Sequence, residues 1–301
     1  MVKRLIVGTR GSKLALTQAG IYMDVLKVAA AAKGMALEFE VTRIQTSGDK
    51  FAQESPATVL QTSGKGIFVK EIEEALLAGR VDFAIHSLKD MPADTPDGLV
   101  LGGFQKRKDP SDAVVAPAGH TLKDLPVNGK VGTSSPRRQV QLQALSKKLG
   151  KEFTFLALRG NVDTRVRKAL SGELDAVVLS AAGLGRLGLD GHITQRFEPT
   201  TEIIPACGQG TVVAEYKSAR GDVADILRLA EDADTRIASS IERMTLKILG
   251  GGCLEPLGIY AKRQGVDFKL YIFREGKTLV FDCAQDIDIV ALSKLLTKSS
   301  V

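Results

Sequence analysis

The chain has 301 residues, 44% of them hydrophobic, and a formal net charge of +6, which is enough length for two or three domains with real cores. The apolar run Leu5-Ile6-Val7 ahead of Gly8 is too short for a secretory leader, no stretch approaches the ~18 apolar residues of a membrane span, and three cysteines without a C-x-x-C pair predict neither a disulfide framework nor a structural zinc site. Nucleic acid is disfavoured as a partner despite the positive charge. Trp is absent, aromatics make up 5%, and the arginines stand singly or in pairs beside Gly, Ser and Thr, a pattern suited to discrete small anions. His86, His120 and His192 lack metal-ligand spacing, so no metal is expected, and a soluble, reducing, cytoplasmic setting fits best.

Leu5-Ile6-Val7 predicts a short buried strand, with Gly8 to Ser12 as its exit loop. Leu16, Ala19, Met23, Leu26 and Ala30, at spacings of three and four, predict a helix over 13–32 with Ser12 as N-cap. A second strand over 37–45 leads to the polar segment 51–66, rich in Ser, Thr, Gln and Gly, whose length suits a lid or binding loop. A helix over 67–77, closed by Gly79, and a strand over 81–85 then run into His86-Ser87-Leu88-Lys89-Asp90-Met91-Pro92. A β-rich passage over 99–115 contains a polar patch at 105–110 that suits an interdomain crossing.

The strand–loop–helix pattern then restarts. A strand at 130–131, the loop Gly132-Thr133-Ser134-Ser135-Pro136-Arg137-Arg138 and a helix to about 149 are followed by a strand over 153–158 and a helix over 162–170. A strand over 176–179 precedes the glycine-punctuated stretch 183–188. Ile203-Ile204-Pro205 reads as a return crossing, and Cys207-Gly208-Gln209-Gly210 opens a strand through Glu215. One continuous helix is expected over 222–249, then strands near 256–262, 266–274 and 278–284 and a closing helix over 287–296. The economical architecture is α/β: two lobes like those of periplasmic binding proteins, joined by two crossings, plus a small C-terminal α+β domain. The expected boundaries are 1–105 with 206–229, 106–205, and 230–301.

Three stretches carry chemistry. Gly250-Gly251-Gly252 strips side chains from the backbone ahead of Cys253, which makes either a helix cap with a small buried thiol or an unusually approachable sulfur. In Gly132 to Arg138, a serine caps the helix and Pro136 suits its first turn, but two arginines stacked on the positive end of a helix dipole call for an anion. Arg10 with Ser12, Lys65 between glycines, Arg159 and Arg165 around Gly160-Asn161, and Arg186 between glycines repeat that device at predicted loop–helix junctions. In a fold whose ligands bind at the carboxyl ends of strands, they imply a ligand with many acidic groups. Asp90 is the exception in this basic company. A fixed carboxylate at a strand exit accepts N–H hydrogen bonds and stabilises a developing cation.

The motifs H-S-L-K-D-M-P, G-T-S-S-P-R-R-Q, L-R-G-N-V-D-T-R, A-G-L-G-R-L-G, P-A-C-G-Q-G and G-G-G-C-L-E-P-L-G occur in the order seen in the porphobilinogen deaminase (hydroxymethylbilane synthase) family, and the resemblance covers essentially the whole chain. It implies that Cys253 forms a thioether to a dipyrromethane cofactor assembled from the enzyme's own substrate or product. Porphobilinogen units are then added with loss of ammonia and released as linear hydroxymethylbilane. By the same resemblance Asp90 is the acid/base that stabilises the cation left when ammonia departs. Arg10, Ser12, Lys65, Ser135, Arg137, Arg138, Arg159, Arg165 and Arg186 match positions that hold acetate and propionate groups or assist deamination, and Lys89, Thr133 and Gln209 match further site positions. The implied partner is the small-molecule substrate alone, with neither membrane nor nucleic acid, and the implied state is a monomer. Gln61 stands where many members have a second lysine, Pro136 where leucine is usual and Lys13 where proline is common. The rival from another class is a non-catalytic two-lobed binding protein for an oligo-anion, which needs neither Asp90 nor an exposed Cys253.

Overall fold

Strand β1 (Val2–Arg10) carries Leu5 and Val7 on its buried face and pairs in parallel with β2 (Ala36–Ile44) along its whole length. The computed structural model describes residues 2–48, 69–158, 160–251 and 255–297. The expected lid 51–66 falls outside them.

Helix α1 (Lys13–Ala31) connects β1 to β2, and Ser12 caps it by accepting the Ala15 N–H at 3.3 Å. Ala19, Tyr22, Leu26 and Ala30, at helical spacing, bury one face of α1 against Leu5, Val7, Phe83 and Val212. Each such fully buried large side chain contributes roughly 1.5–3 kcal/mol. The helix has the length and hydropathy of a membrane span, yet this buried stripe makes it a core helix of its sheet. Helix α2 (Lys70–Leu77) and β3 (Phe83–Ser87) follow, with Ile72, Ala75 and Leu76 packed on Val81, Ala84 and Leu99. Strand β4 (Leu99–Gly102) forms one edge. The sheet is completed by β10 (Val212–Lys217), which runs antiparallel between β3 and β4, giving the order β2-β1-β3-β10-β4.

The second five-stranded sheet repeats that plan. Strand β5 (Asp112–Val115), β6 (Lys130–Gly132), helix α3 (Pro136–Lys148), β7 (Thr154–Leu156), helix α4 (Val162–Leu170), β8 (Ala176–Ser180), helix α5 (Ala181–Arg186) and β9 (Gln195–Arg196) give the order β7-β6-β8-β5-β9. In each sheet the central strands are parallel, and the strand that follows a crossing, β5 or β10, enters antiparallel beside them. The two α/β lobes and the C-terminal α+β segment are therefore as the sequence predicts. That segment comprises α7 (Ala233–Leu249), β11 (Gly258–Gln264), β12 (Asp267–Arg274), β13 (Lys277–Cys283) and α8 (Ile289–Thr297), around Ile241, Ile259, Leu270, Ile272 and Leu292. The chain packs as two units, 1–107 with 211–236 and 108–210 with 237–301.

Three local expectations are corrected. The stretch 222–249 is two helices, α6 (Gly221–Arg228) and α7, because Asp232 leaves the helix to bond Phe104 O through its N–H at 2.8 Å and to cap Thr235 N through its carboxylate at 2.8 Å. The glycine-punctuated 183–188 begins inside a helix. Ser180 caps Gly183 N at 3.3 Å, and burial of Ala181, Ala182 and Leu184 overrides the low helix propensity of glycine. The short edge strand β9 carries no alternating apolar pattern and so escapes prediction.

Candidate active site

In the first unit β1 and β3 lie side by side and in parallel, so their carboxyl ends bring Arg10 and Ser87 to the same edge. After Ser87 the chain makes one 3₁₀ turn, Leu88–Asp90. Leu88 and Met91 are both buried with Val69, Phe104 and Val213, and Leu88 N–H donates to Thr211 O at 3.1 Å. The turn is thus pinned at both ends, which leaves Lys89 half-buried and Asp90 exposed between the anchors. Arg10, Ser12, Gln18, His86, Ser87 and Asp90 line one open cavity at the N-terminus of α1.

Gln18, His86 and Ser87 escaped sequence reading. Gln18 sits on the apolar face of α1 and is 5% exposed; its amide pairs with Ser87, Nε2 donating to Oγ at 2.8 Å and Oε1 lying 3.1 Å from the same hydroxyl as acceptor. A glutamine on an otherwise apolar helical stripe was the available signal. His86 Nε2 lies 3.1 Å from Glu215 Oε2, with both side chains buried.

In the second unit the loop after β6 is built by its hydroxyls. Thr133 is buried, and its N–H donates to Leu156 O at 2.9 Å. Ser134 Oγ accepts Leu158 N–H and donates to Leu158 O, each at 2.8 Å. Ser135, rather than Ser134, caps α3 by accepting Arg138 N–H at 3.4 Å. Both arginines turn away from the helix end into the interior. Arg137 Nη1 reaches Asp112 Oδ2 at 2.8 Å and Ile204 O at 2.7 Å. Arg138 donates through Nε and Nη2 to Asp112 Oδ1 at 2.9 and 2.7 Å and through Nη1 to Val178 O at 3.1 Å. Gln209 Nε2 adds a further bond to Asp112 Oδ1 at 3.0 Å. The anion that meets this arginine pair is therefore the chain's own Asp112, which is fully buried on β5.

Burial would push the Asp112 carboxyl up, but Arg137 and Arg138 more than offset it and hold it well below the usual carboxylate range. Two guanidiniums against one carboxylate leave an excess positive charge. Arg165, on α4, is near enough to Arg138 that burial, and then that neighbouring charge, lower its affinity for its proton. Its Nε donates to Gly160 O at 2.9 Å. Arg186 closes α5 instead of opening a helix; its Nη2 donates to Gly210 O at 2.7 Å, and burial pushes its pKa down to about 10, still cationic at neutral pH. Partly buried excess cations of this kind are stabilised by an arriving carboxylate. The loop carrying Gln209 is fastened by fully buried Glu242 on α7, whose carboxylate accepts Gly208 N–H at 2.7 Å and Ala261 N–H at 2.8 Å. Lys65, Arg159 and Cys253 lie outside the described residues.

A family model described as "Porphobilinogen deaminase, dipyromethane cofactor binding domain" matches residues 5–225. The chain is 46% identical over 257 residues to a porphobilinogen deaminase from Brevibacillus brevis, which covers 85% of this chain and 79% of that one. It is 44% identical over 262 residues to the protein of the same name from Syntrophobacter fumaroxidans, covering 87% of this chain and 81% of that one. A third relative so named, from a Roseiflexus species, is 46% identical over 273 residues, covering 90% of this chain and 85% of that one.

Proposed function

Because the chain belongs to the porphobilinogen deaminase family, we propose a division of labour among its residues for that family's reaction. The protein is a transferase that adds porphobilinogen units head to tail onto a dipyrromethane primer, each with loss of ammonia, and releases linear hydroxymethylbilane. The dipyrromethane, when bound, supplies the pyrrole carbon onto which the first unit is joined and brings two carboxylates per ring.

The residues present suit such a polyanion. The excess positive charge of Arg137, Arg138 and Arg165 over Asp112 calls for carboxylates. We assign the holding of acetate and propionate groups to Arg137, Arg138 and Arg165, with Lys65 and Arg159. Ser135 and Thr133 shape the loop, and Arg186 and Gln209 complete the set. Arg10 and Ser12 receive the carboxylates of the arriving unit at the N-terminus of α1, and Lys89 adds charge beside them. Asp90 accepts pyrrole N–H bonds, moves a proton to or from the reacting atoms and stabilises the positive charge that develops as ammonia leaves. Cys253 anchors the cofactor through its sulfur. We further read 230–301 as a third domain beside 1–105 with 206–229 and 106–205, on the strength of its own apolar cluster, and the whole as a cytoplasmic monomer.

What carries this reading is the cavity at the ends of β1 and β3, where a carboxylate and an arginine some eighty positions apart in the chain meet in one open space. Mixing the holoenzyme with limiting porphobilinogen should produce a ladder of equal mass increments on the intact protein, one per added unit. A protein that makes product with no such ladder would sink the stepwise assignment.

A further inference from the structure

Beneath the Asp90 cavity lies a buried cluster that the division of labour above leaves unused. His86 on β3 stands opposite Val213, and Glu215 on β10 stands opposite Ala84, so the two side chains are diagonal neighbours on one face of the sheet. His86 is 6% and Glu215 0% exposed, and Nε2 and Oε2 are 3.1 Å apart. Helix α2 covers that face and brings a second carboxylate, the half-buried Glu73. Its helix neighbours Lys70 and Glu74 are exposed, and Glu71 instead accepts the Ser47 N–H at 2.8 Å. His86 lines the same cavity as Arg10 and Asp90. His86 and Glu215 thus form a buried pair, and the Glu73 carboxylate is near enough to feel the charge of both. Burial, and then the negative charge of Glu215, raise the Glu73 carboxyl to about 7, with His86 pulling the other way.

Each addition breaks a C–H bond at the accepting carbon and the C–N bond of the arriving unit, and forms one C–C and one N–H bond. One proton therefore moves from carbon to the departing nitrogen, and none is consumed. We propose that His86, backed by Glu215 and Glu73, is a second proton-transfer group at the inner wall of the Asp90 cavity, taking the proton lost at carbon and returning it for the nitrogen. This rests on reading that cavity as the place where substrate reacts. A general acid or base must lie within reach of the proton it moves, and His86 lines the same cavity as Asp90 with Glu215 behind it.

The chain has three histidines, and His120 and His192 are exposed, so the His86 imidazole can be followed alone by nitrogen NMR in resting holoenzyme. Its nitrogen shifts should change in Glu215→Gln and again in Glu73→Gln, while those of His120 and His192 stay as in wild type. In the same Glu73→Gln protein the pH profile of turnover should lose its inflection near 7, and His86→Gln should slow turnover by roughly 10²-fold while the cofactor mass is retained. A His86 signal indifferent to both glutamine substitutions would overturn the proposal, as would turnover in His86→Gln equal to wild type. If Asp90→Asn kept full activity the cavity reading itself would fall, an outcome separable from the first because the NMR coupling needs no turnover.

Discussion

Asp90→Asn protein is expected to fold, to keep its cofactor and to turn over porphobilinogen roughly 10²–10⁴-fold more slowly than wild type, the range that a general acid/base contributes. The substitution is nearly isosteric, and the side chain it changes is exposed. The turn around it is held by Leu88 and Met91, whose burial does not depend on position 90. Stability should therefore shift by no more than ~0.5 kcal/mol. What an amide removes is the fixed negative charge and the ability to carry a proton to the reacting atoms. Rapid-quench measurement of ammonia release, with intact mass to check the cofactor, separates the two roles. Turnover within about tenfold of wild type would mean that another group does this work.

Asp112→Ala should produce the largest loss of stability, ~3–5 kcal/mol, because it strands two buried cations rather than removing a surface pair. Asp112 accepts from Arg137, Arg138 and Gln209, and all four side chains are buried. The pH dependence has a definite sign. The carboxyl is held below its unfolded value near ~4, so its contribution is fully present above ~4 and fades as pH falls below that value toward the folded pKa. Urea midpoints of wild type and variant should therefore differ most at neutral pH and converge in acid. A gap that persists unchanged in acid would show that lost packing, rather than the carboxylate's charge, accounts for the effect.

Much of this arrangement was legible before any coordinates. Ser12 ahead of an apolar stripe announced α1, and the echo of strand, polar loop and helix announced the second sheet, because caps and periodicity are local. Placing Met23 on the buried stripe, where the structure buries Tyr22, shows the limit of that logic: adjacent positions differ by 100° around a helix, and the buried Tyr22 hydroxyl donates to Gly103 O at 2.6 Å. The basic motif Pro136-Arg137-Arg138 correctly signalled a demand for negative charge, but not its source. Asp112 sits 26 positions from Arg138 in an apolar strand, and only the placement of β5 beside β8 brings it there. His86 and Glu215 are likewise joined only by the pairing of β3 with β10 across more than a hundred residues. Helix breaks such as Leu229 to Asp232 depend on a distant carbonyl, Phe104 O, and leave no mark in the local pattern.

The central claim is that the chemistry is primed by a dipyrromethane held through the sulfur of Cys253, and the intact mass of purified protein tests it most directly. Wild-type protein should weigh more than its sequence by one dipyrromethane, and Cys253→Ser should have the bare sequence mass and no turnover of porphobilinogen. A wild-type chain of bare mass that still makes hydroxymethylbilane, or a Cys253→Ser protein that keeps the added mass, would contradict it.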